Sequence, residues 1–173
     1  MPRKQPVIHA QFNVYPNGGQ RLLGLAEVTM PAFEAMAESL TGAGIMGTID
    51  VPVTGQFNAL TLTMLFKVLH GDPLDFIVSR TYRFDLRSAI ELENTASYER
   101  SVAAERWTFT GPIKKIDPGK RAPQSVADAS IDVAVRQAVH YMDGVKKLEF
   151  DPLNNIYTVN GVDVYGPIRE AIS

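Results

Sequence analysis

The sequence contains no cysteine, and its 173 residues include only three histidines. The absence of cysteine excludes disulfide scaffolds, thiolate zinc sites, iron–sulfur clusters and thiol nucleophiles. An excess of basic residues is also missing, because 17 Lys+Arg stand against 19 Asp+Glu and leave a net charge of -2. This charge balance argues against stable nucleic-acid binding through a basic surface.

Long apolar runs are absent as well, and no stretch approaches the roughly 20 residues that a membrane-spanning helix needs. Residues 1–6 are basic, but no apolar core follows them, so we expect neither an export signal nor a membrane anchor. A hydrophobic share of 45% with 21% charged residues is typical of a globular chain. At this length we expect a single domain over residues 1–173, made and kept soluble in the cytoplasm until it meets partners.

Recognisable catalytic motifs are scarce. His9, His70 and His140 are scattered without metal-ligand spacing, and no Gly-x-Ser-x-Gly elbow is present. The Gly-Ala-Gly at residues 42–44 lacks the Lys and Ser/Thr that follow in a phosphate-binding loop. We therefore expect no metal and no cofactor.

One group of acidic residues requires a separate interpretation. Asp85, Glu91 and Glu93 would share one face of a strand, and two acids at this spacing are compatible with acid/base chemistry. A solvated polar strand face is the simpler interpretation of the same pattern. We expect the chain not to be an enzyme.

Alternation of apolar and polar residues with period two is the dominant pattern of the sequence. It is clearest over residues 57–68, 84–93 and 127–136. Such alternation is typical of strands that cover a core with one face, because successive side chains of a strand point to opposite sides. The sequence therefore predicts one mainly-β domain of about eight strands, an antiparallel barrel or sandwich.

Turn residues separate the predicted strands. Asn-Gly-Gly at residues 17–19 predicts a hairpin between the first two strands, and Asn160-Gly161 predicts another near the C-terminus. Residues 139–150 are interpreted as one strand. Residues 33–40 are compatible with either a strand or a short helix, because Ala, Met and Glu favour helices.

Two short helices complete the predicted fold. Asp72-Pro73 resembles a helix start and predicts a short flanking helix over residues 74–79. Residues 166–172 predict a short C-terminal helix.

The segment at residues 41–55 combines glycines at both ends with an apolar middle. Pro52 restricts it to an edge strand or an exposed hairpin. A long apolar hairpin is unfavourable in water, so it either folds over its own core or docks on a neighbouring subunit.

Several segments in order resemble the major tail tube protein of contractile-tailed phages. They are Glu-Val-Thr-Met-Pro at residues 27–31, Gly-Ala-Gly-Ile-Met-Gly at residues 42–47 and Ile-Asp-Val at residues 49–51. At the C-terminus, Val-Asn-Gly-Val-Asp at residues 159–163 is similar to that family's ending. The segment at residues 33–38 departs from the pattern, since it is more apolar and less basic.

This resemblance implies a structural function. Tube subunits form hexameric rings, which stack into a hollow tube inside a contractile sheath and conduct the genome during ejection. The implied fold is a small β-barrel or sandwich with a flanking helix, distantly similar to Hcp-type tube proteins. The implied partners are further copies of the chain, the sheath, baseplate and terminator proteins, and DNA that passes without stable binding, all in a virion tail assembled in the host bacterial cytoplasm.

The resemblance also assigns candidate surfaces. Ring-to-ring contacts are expected from an N-terminal arm at residues 1–8 and from an extended interface hairpin at residues 41–55. The hairpin candidates are Gly42, Gly44, Ile45, Met46, Ile49, Val51 and Val53. Candidates for the lumen of the tube are Thr61, Thr63, Asp85, Arg87, Glu91 and Glu93. An acidic or neutral bore suits DNA passage, because phosphate contacts make nucleic-acid binding tight.

Two alternatives stay open from the sequence. The same subunit type would suit a headless contractile bacteriocin or an Hcp-like secretion tube. A protein of another class, a monomeric β-barrel that binds a small ligand, would use the polar face of residues 84–94 to line its cavity.

Overall fold

The computed structural model describes residues 4–19, 25–67, 76, 80–120, 123 and 128–172. In this part of the chain the secondary structure is almost entirely β. The strands are β1 (Lys4–Pro16), β2 (Leu25–Thr29), β3 (Ala35–Leu40), β4 (Ile49–Phe57), β5 (Leu60–Phe66), β6 (Thr81–Asn94), β7 (Arg100–Asp117), β8 (Ala129–Val135), β9 (Gln137–Met142), β10 (Val145–Asp151), β11 (Ile156–Val159) and β12 (Val162–Asp163). The helix α1 (Gly166–Ile172) follows them and confirms the predicted C-terminal helix.

The long strand β7 belongs to two antiparallel sheets. One edge of β7 pairs with β6. The other edge pairs with β9 over residues 105–110 and then with β8 over residues 113–117. The first sheet therefore has the order β1-β6-β7-β9-β10-β11-β12, and the second has the order β7-β8-β5-β2.

Gly111 lies at the point where β7 passes from one sheet to the other. A Cβ atom at this position would lie 2.0 Å from the backbone oxygen of Ala134 on β8. The close approach of the two strands therefore requires glycine. Next to it, the backbone N–H of Arg136 donates to the carbonyl of Thr110, which keeps the kink between β8 and β9 attached to β7.

The inner faces of the two sheets enclose one hydrophobic core. On β5 and β8 every second residue is buried, so the predicted alternation is confirmed. The largest fully buried side chains are Phe66, Phe84, Phe109, Leu62, Met64, Ile131, Val14 and Val133. Among the described residues the sheets form a sandwich and do not close into a barrel, since β1, β2 and β12 each pair on one edge only.

Strands β3 and β4 form a separate two-stranded sheet. Residues 35–40 are all exposed and pair with β4, so the alternative interpretation of residues 33–40 as a helix is wrong. A strand is favoured here because its hydrogen-bonding partner is supplied by β4, and tertiary pairing overrides the helix propensity of Ala, Met and Glu.

Several predicted connections differ from the structure. Among the described residues the predicted hairpin at residues 17–19 is absent, because the strands on either side of it do not pair with each other: β1 pairs with β6 and β2 pairs with β5. Residues 139–150 form two strands, since Asp143 and Gly144 adopt positive φ angles of 48° and 79° and reverse the chain. The hairpin at Asn160-Gly161 is confirmed by the pairing of β11 with β12. The helix predicted over residues 74–79 lies outside the described residues, apart from Phe76.

Candidate functional site

The β3–β4 hairpin presents one apolar face and one more polar face. Leu40 is paired with Ile49, and Glu38 with Val51, so these four side chains share a face. On the opposite face the Ser39 hydroxyl donates to Asp50 at 2.7 Å. The apolar face is therefore made by both strands of the hairpin.

The large apolar side chains of this hairpin are exposed. Their exposed fractions run from 39% at Val53 to 49% at Leu40 and Ile49, and Met46 in the connecting loop is fully exposed. An isolated two-stranded hairpin is marginally stable in water, and an exposed apolar face of this kind marks an interaction surface. We name the face formed by Met36, Leu40, Met46, Ile49, Val51 and Val53 the hairpin face.

The structure extends the predicted interface hairpin. Residues 41–55 cover only the connecting loop and most of β4, while the complete hairpin also includes β3. Of the seven predicted interface residues, Gly42, Gly44, Ile45 and Met46 lie in the loop, and Ile49, Val51 and Val53 lie on β4.

An aromatic cluster attaches the base of the hairpin to the sandwich. Phe57 at the end of β4 contacts Phe33, Phe150 and Tyr157 with ring centroids 5.7, 5.2 and 5.3 Å away. These edge-on contacts place the aromatic rings in favourable arrangements. The hairpin therefore projects from an anchored base.

The predicted N-terminal arm is paired along its described length. Residues 4–8 belong to β1 and lie opposite residues 91–94 of β6. Val7 and Ile8 are nevertheless more than half exposed, at 54% and 59%. They add a second exposed apolar area, at the far end of the first sheet.

The six predicted lumen residues lie on two different faces. Thr61 and Thr63 are on the outer face of the second sheet, where the Thr63 hydroxyl donates to Asp132 at 2.7 Å. The other four are on the outer face of the first sheet, since they alternate with the buried Phe84 and Leu86 of β6. The two outer faces point away from each other across the core, so one bore cannot be lined by both.

The four residues on β6 have different surroundings. Asp85 is buried and accepts a hydrogen bond from Thr108 at 2.7 Å, in addition to its contact with Arg83. Arg87 is exposed, and its guanidinium lies 4.7 Å from the ring centre of Tyr15.

The two glutamates lie farther along the same strand, and both are half-buried. Glu91 forms a salt bridge with Arg100 at 3.6 Å. Glu93 lies opposite Arg100 in the pairing of β6 with β7. The acidic residues considered for acid/base chemistry are thus associated with arginine side chains of the same face.

A polar cluster around Glu105 was missed by the sequence interpretation. Glu105 on β7 accepts hydrogen bonds from Ser88 at 2.7 Å and from Trp107 at 3.0 Å, and it lies 3.0 Å from Nε2 of His140. Burial raises the pKa of Glu105, but these hydrogen bonds and the charge of His140 outweigh burial and lower the pKa below its usual value. The sequence feature that could have revealed this cluster is the period-two alternation of side chains along β7, which places Glu105 on the same face as Trp107 and Phe109.

A groove of about 550 Å³ opens beside this cluster. It is bounded by β1, β6 and β7 on one side and by the segment after β2 on the other. The apolar side chains that line it include Phe12, Val28, Met30, Phe33 and Trp107. The groove thus combines apolar walls with the carboxylate of Glu105.

The described residues contain no group of three or more His, Cys, Asp or Glu side chains that is arranged to hold a metal ion. Within the same residues, no helix is both long and apolar enough to cross a membrane.

Comparisons with known proteins agree with the resemblance in the sequence. The family profile described as phage tail tube protein FII matches residues 7–172. The tail tube protein of Escherichia phage P2 is 29% identical over 167 residues, which cover 94% of this chain and 92% of the P2 protein. The match includes the strands of both sheets, the hairpin and α1. The chain therefore belongs to the phage tail tube protein FII family.

Proposed function

We propose that this protein is the subunit of a phage tail tube, in which hexameric rings stack into a hollow tube that conducts the genome inside a contractile sheath. The stacking of rings is supported by the hairpin face, because this apolar surface is exposed to water in a single copy of the chain. Its burial against a copy in the next ring would stabilise the stack by about 25 cal/mol for each Å² of apolar surface removed from water. The protein acts by assembly and performs no catalysis.

Ring closure is supported by the free edges of the sheets. In the described part of the chain, β1 pairs only with β6 and β2 only with β5, so each leaves one edge without a strand partner. Exposed edges invite pairing with another chain. A head-to-tail contact between the edge of β1 in one copy and the edge of β2 in the next copy joins two different surfaces, and it closes into a ring when the rotation between copies closes. Val7 and Ile8 would be covered at such contacts, so this proposal places them within a ring, whereas the resemblance in the sequence predicts ring-to-ring contacts from the arm at residues 1–8.

The outer face of the second sheet is our proposed lining of the bore. This face carries small and hydroxyl side chains, and carboxylates outnumber cations on its strands. Its residues are Glu27, Thr29, Thr61, Thr63, Leu65, Lys115, Asp117, Ser130, Asp132 and Ala134. A surface that is slightly acidic lets DNA pass without the phosphate contacts that produce tight binding. Thr61 and Thr63 are retained as lumen residues, and the outer face of the first sheet is assigned to protein contacts.

In this proposal the subunit has its place in the virion tail and is assembled in the host cytoplasm. Its partners are further copies of itself, a sheath around the tube, and baseplate and terminator proteins at the two ends. The same subunit geometry would serve a headless contractile bacteriocin. The presence of a capsid on purified particles separates these two cases.

Electron microscopy of the purified, concentrated protein tests the proposal. We expect rings or tubes with a uniform bore from the full chain. A variant in which residues 36–54 are replaced by a short Gly-Ser linker should keep the sandwich but form no stacks. A full chain that stays monomeric at all concentrations and salt conditions would contradict the tube function.

A further inference from the structure

Two arginines lie directly opposite each other on the outer face of the first sheet. Arg87 on β6 is paired with Arg106 on β7. Each guanidinium lies over a tyrosine ring, with Arg87 4.7 Å from the ring centre of Tyr15 and Arg106 4.6 Å from that of Tyr141. The rings hold the two cations in fixed positions by cation–π attraction.

This arginine pair lacks an anionic partner within the described residues. Like charges directly opposite on neighbouring strands repel each other and destabilise the pairing. Among the residues that the structure describes, neither arginine forms a salt bridge, and the buried Nε of Arg106 has no hydrogen-bond acceptor. A carboxylate placed between the two guanidiniums would relieve the repulsion and form charge-assisted hydrogen bonds.

The hairpin of the same chain carries a carboxylate, whose negative charge is opposite to that of the arginine pair. The sequence contains no Lys, Arg or His from residue 22 to residue 66, so the charged side chains of the hairpin are all acidic. Glu38 is the carboxylate on the hairpin face, where it alternates with Met36 and Leu40 and lies opposite Val51. It is exposed, and it forms no salt bridge with a described residue.

The groove beside Trp107 is a less suitable place for this hairpin. Its apolar walls match the hairpin face, but Glu105 lies at its edge and has a lowered pKa, which keeps it negatively charged at neutral pH. Two carboxylates brought together in a half-buried groove would repel each other. The outer face of the first sheet offers the opposite charge together with the rings of Tyr15 and Tyr141.

We propose that the hairpin of one copy lies on the outer face of the first sheet of a second copy, with Glu38 between Arg87 and Arg106. The apolar side chains of the hairpin face cover the tyrosine rings at this contact. This contact is one interface of the proposed tube and rests on that proposed function, since the carboxylate bound by the arginine pair comes from another copy of the same chain.

Charge exchange tests the pairing. Glu38→Arg should abolish stacks, and so should the double variant Arg87→Glu/Arg106→Glu, because each places like charges at the contact. The triple variant that combines these changes restores opposite charges and should recover stacks to within a few-fold of the unmodified protein, measured by sedimentation and electron microscopy. Asp50→Arg is the matched control, since it changes a carboxylate on the other face of the hairpin and should leave stacking intact.

Cross-linking gives a readout that does not depend on charge. Because the sequence has no cysteine, Glu38→Cys and Arg106→Cys each carry a single thiol. When the two variants are mixed, one of them enlarged by a tag, and then oxidised, a disulfide-linked heterodimer should accumulate. It should exceed by several-fold the heterodimer formed when Asp50→Cys replaces Glu38→Cys.

The outcomes separate this contact from the tube function itself. If the unmodified chain forms tubes and the linker variant does not, the assembly function stands. Normal tubes from Glu38→Arg, no recovery in the triple variant, or a heterodimer yield no higher than that of the Asp50→Cys control would then overturn the Glu38 contact alone. If the unmodified chain never forms tubes, the proposed function itself fails.

Discussion

The ring of Tyr165 lies directly on the backbone of Gly55, where β4 leaves the body of the protein. A Cβ atom at Gly55 would lie 2.6 Å from Cδ2 of Tyr165, and the φ angle of Gly55 is +73°. Both facts make glycine the residue required at this position. We expect this contact to set the direction in which the hairpin projects.

We therefore predict that Gly55→Ala redirects the hairpin while the sandwich remains folded. The cost should be about 1 to 3 kcal/mol of unfolding free energy, from the strained backbone together with the clash against the ring. Circular dichroism should change little, whereas tube formation should fall. In the background of Tyr165→Ala the clash is removed, so the same substitution should cost less; equal costs in the two backgrounds would show that the ring does not set the hairpin direction.

A second prediction concerns the crossing of β7 and β8. Gly111→Ala would place a methyl group 2.0 Å from the carbonyl oxygen of Ala134, and backbone atoms cannot move aside without breaking the pairing. We expect a loss of about 3 kcal/mol or more in denaturant unfolding. Gly42→Ala is the control, because a Cβ atom there meets nothing within 4 Å; it should change stability by less than about 0.5 kcal/mol. Similar melting temperatures for the two variants would contradict this account of the crossing.

A third prediction follows from the lowered pKa of Glu105. A carboxyl group whose pKa is lower in the folded state stabilises the fold fully above its unfolded pKa, near 4.5. That contribution is lost as the pH falls from this value through the lowered folded pKa. Glu105→Gln should destabilise the protein at pH 7 by about 1 to 3 kcal/mol, because the ionic hydrogen bonds to Ser88 and Trp107 are weakened.

The pH dependence is the diagnostic part of this test. The difference in unfolding free energy between the unmodified protein and Glu105→Gln should be constant between pH 7 and about pH 5 and should shrink as the pH is lowered from about 4.5 to 3. A difference that stays constant over this interval would mean that the charge of Glu105 contributes nothing to the stability of the cluster.

A fourth prediction concerns the bore. Thr61→Cys introduces the sole thiol of the chain on the outer face of the second sheet. In free subunits this thiol should react with a small maleimide and with a maleimide attached to a large polymer. In assembled tubes the small reagent should still react, while the polymer reagent should be excluded from the bore. Equal labelling of free and assembled subunits by the polymer reagent would place Thr61 elsewhere.

The parts of the fold that were predictable from the sequence are those that depend on local periodicity. Apolar and polar residues alternate in strands β5, β6 and β8 because one face of each strand must be apolar to cover the core. This requirement places an apolar residue at every second position, which can be seen in the sequence. The hairpin at Asn160-Gly161 was predictable for a similar reason, since the turn needs the positive φ angles that both residues adopt.

The predictions failed where the local structure is determined by residues that are distant in the sequence. The pairing of β1 with β6 joins distant residues such as Val14 and Leu86, which are 72 positions apart, and no local turn indicates it. The strand structure of residues 35–40 depends on β4, and the sheet crossing at Gly111 depends on β8. One failure was avoidable, because Asp143-Gly144 is itself a recognised hairpin signal and divides residues 139–150 into two strands.

The candidate site was predictable in part. The apolar character of β4 was visible in Ile49, Val51 and Val53, but the sequence left open whether these side chains cover the chain's own core or face a neighbouring subunit. The place of Glu38 on the same face was not visible, because it follows from the register between β3 and β4. A shift of that register by one residue would move Glu38 to the opposite face.

The continuity of β7 through both sheets has a mechanical consequence. Because one strand is hydrogen-bonded into each layer, a force applied to the outer face of the first sheet reaches the second sheet along a covalent backbone. Sliding of one layer over the other would require several main-chain hydrogen bonds of β7 to break together. A subunit built in this way should resist shear between its two layers, because load on one sheet is shared with the other through β7.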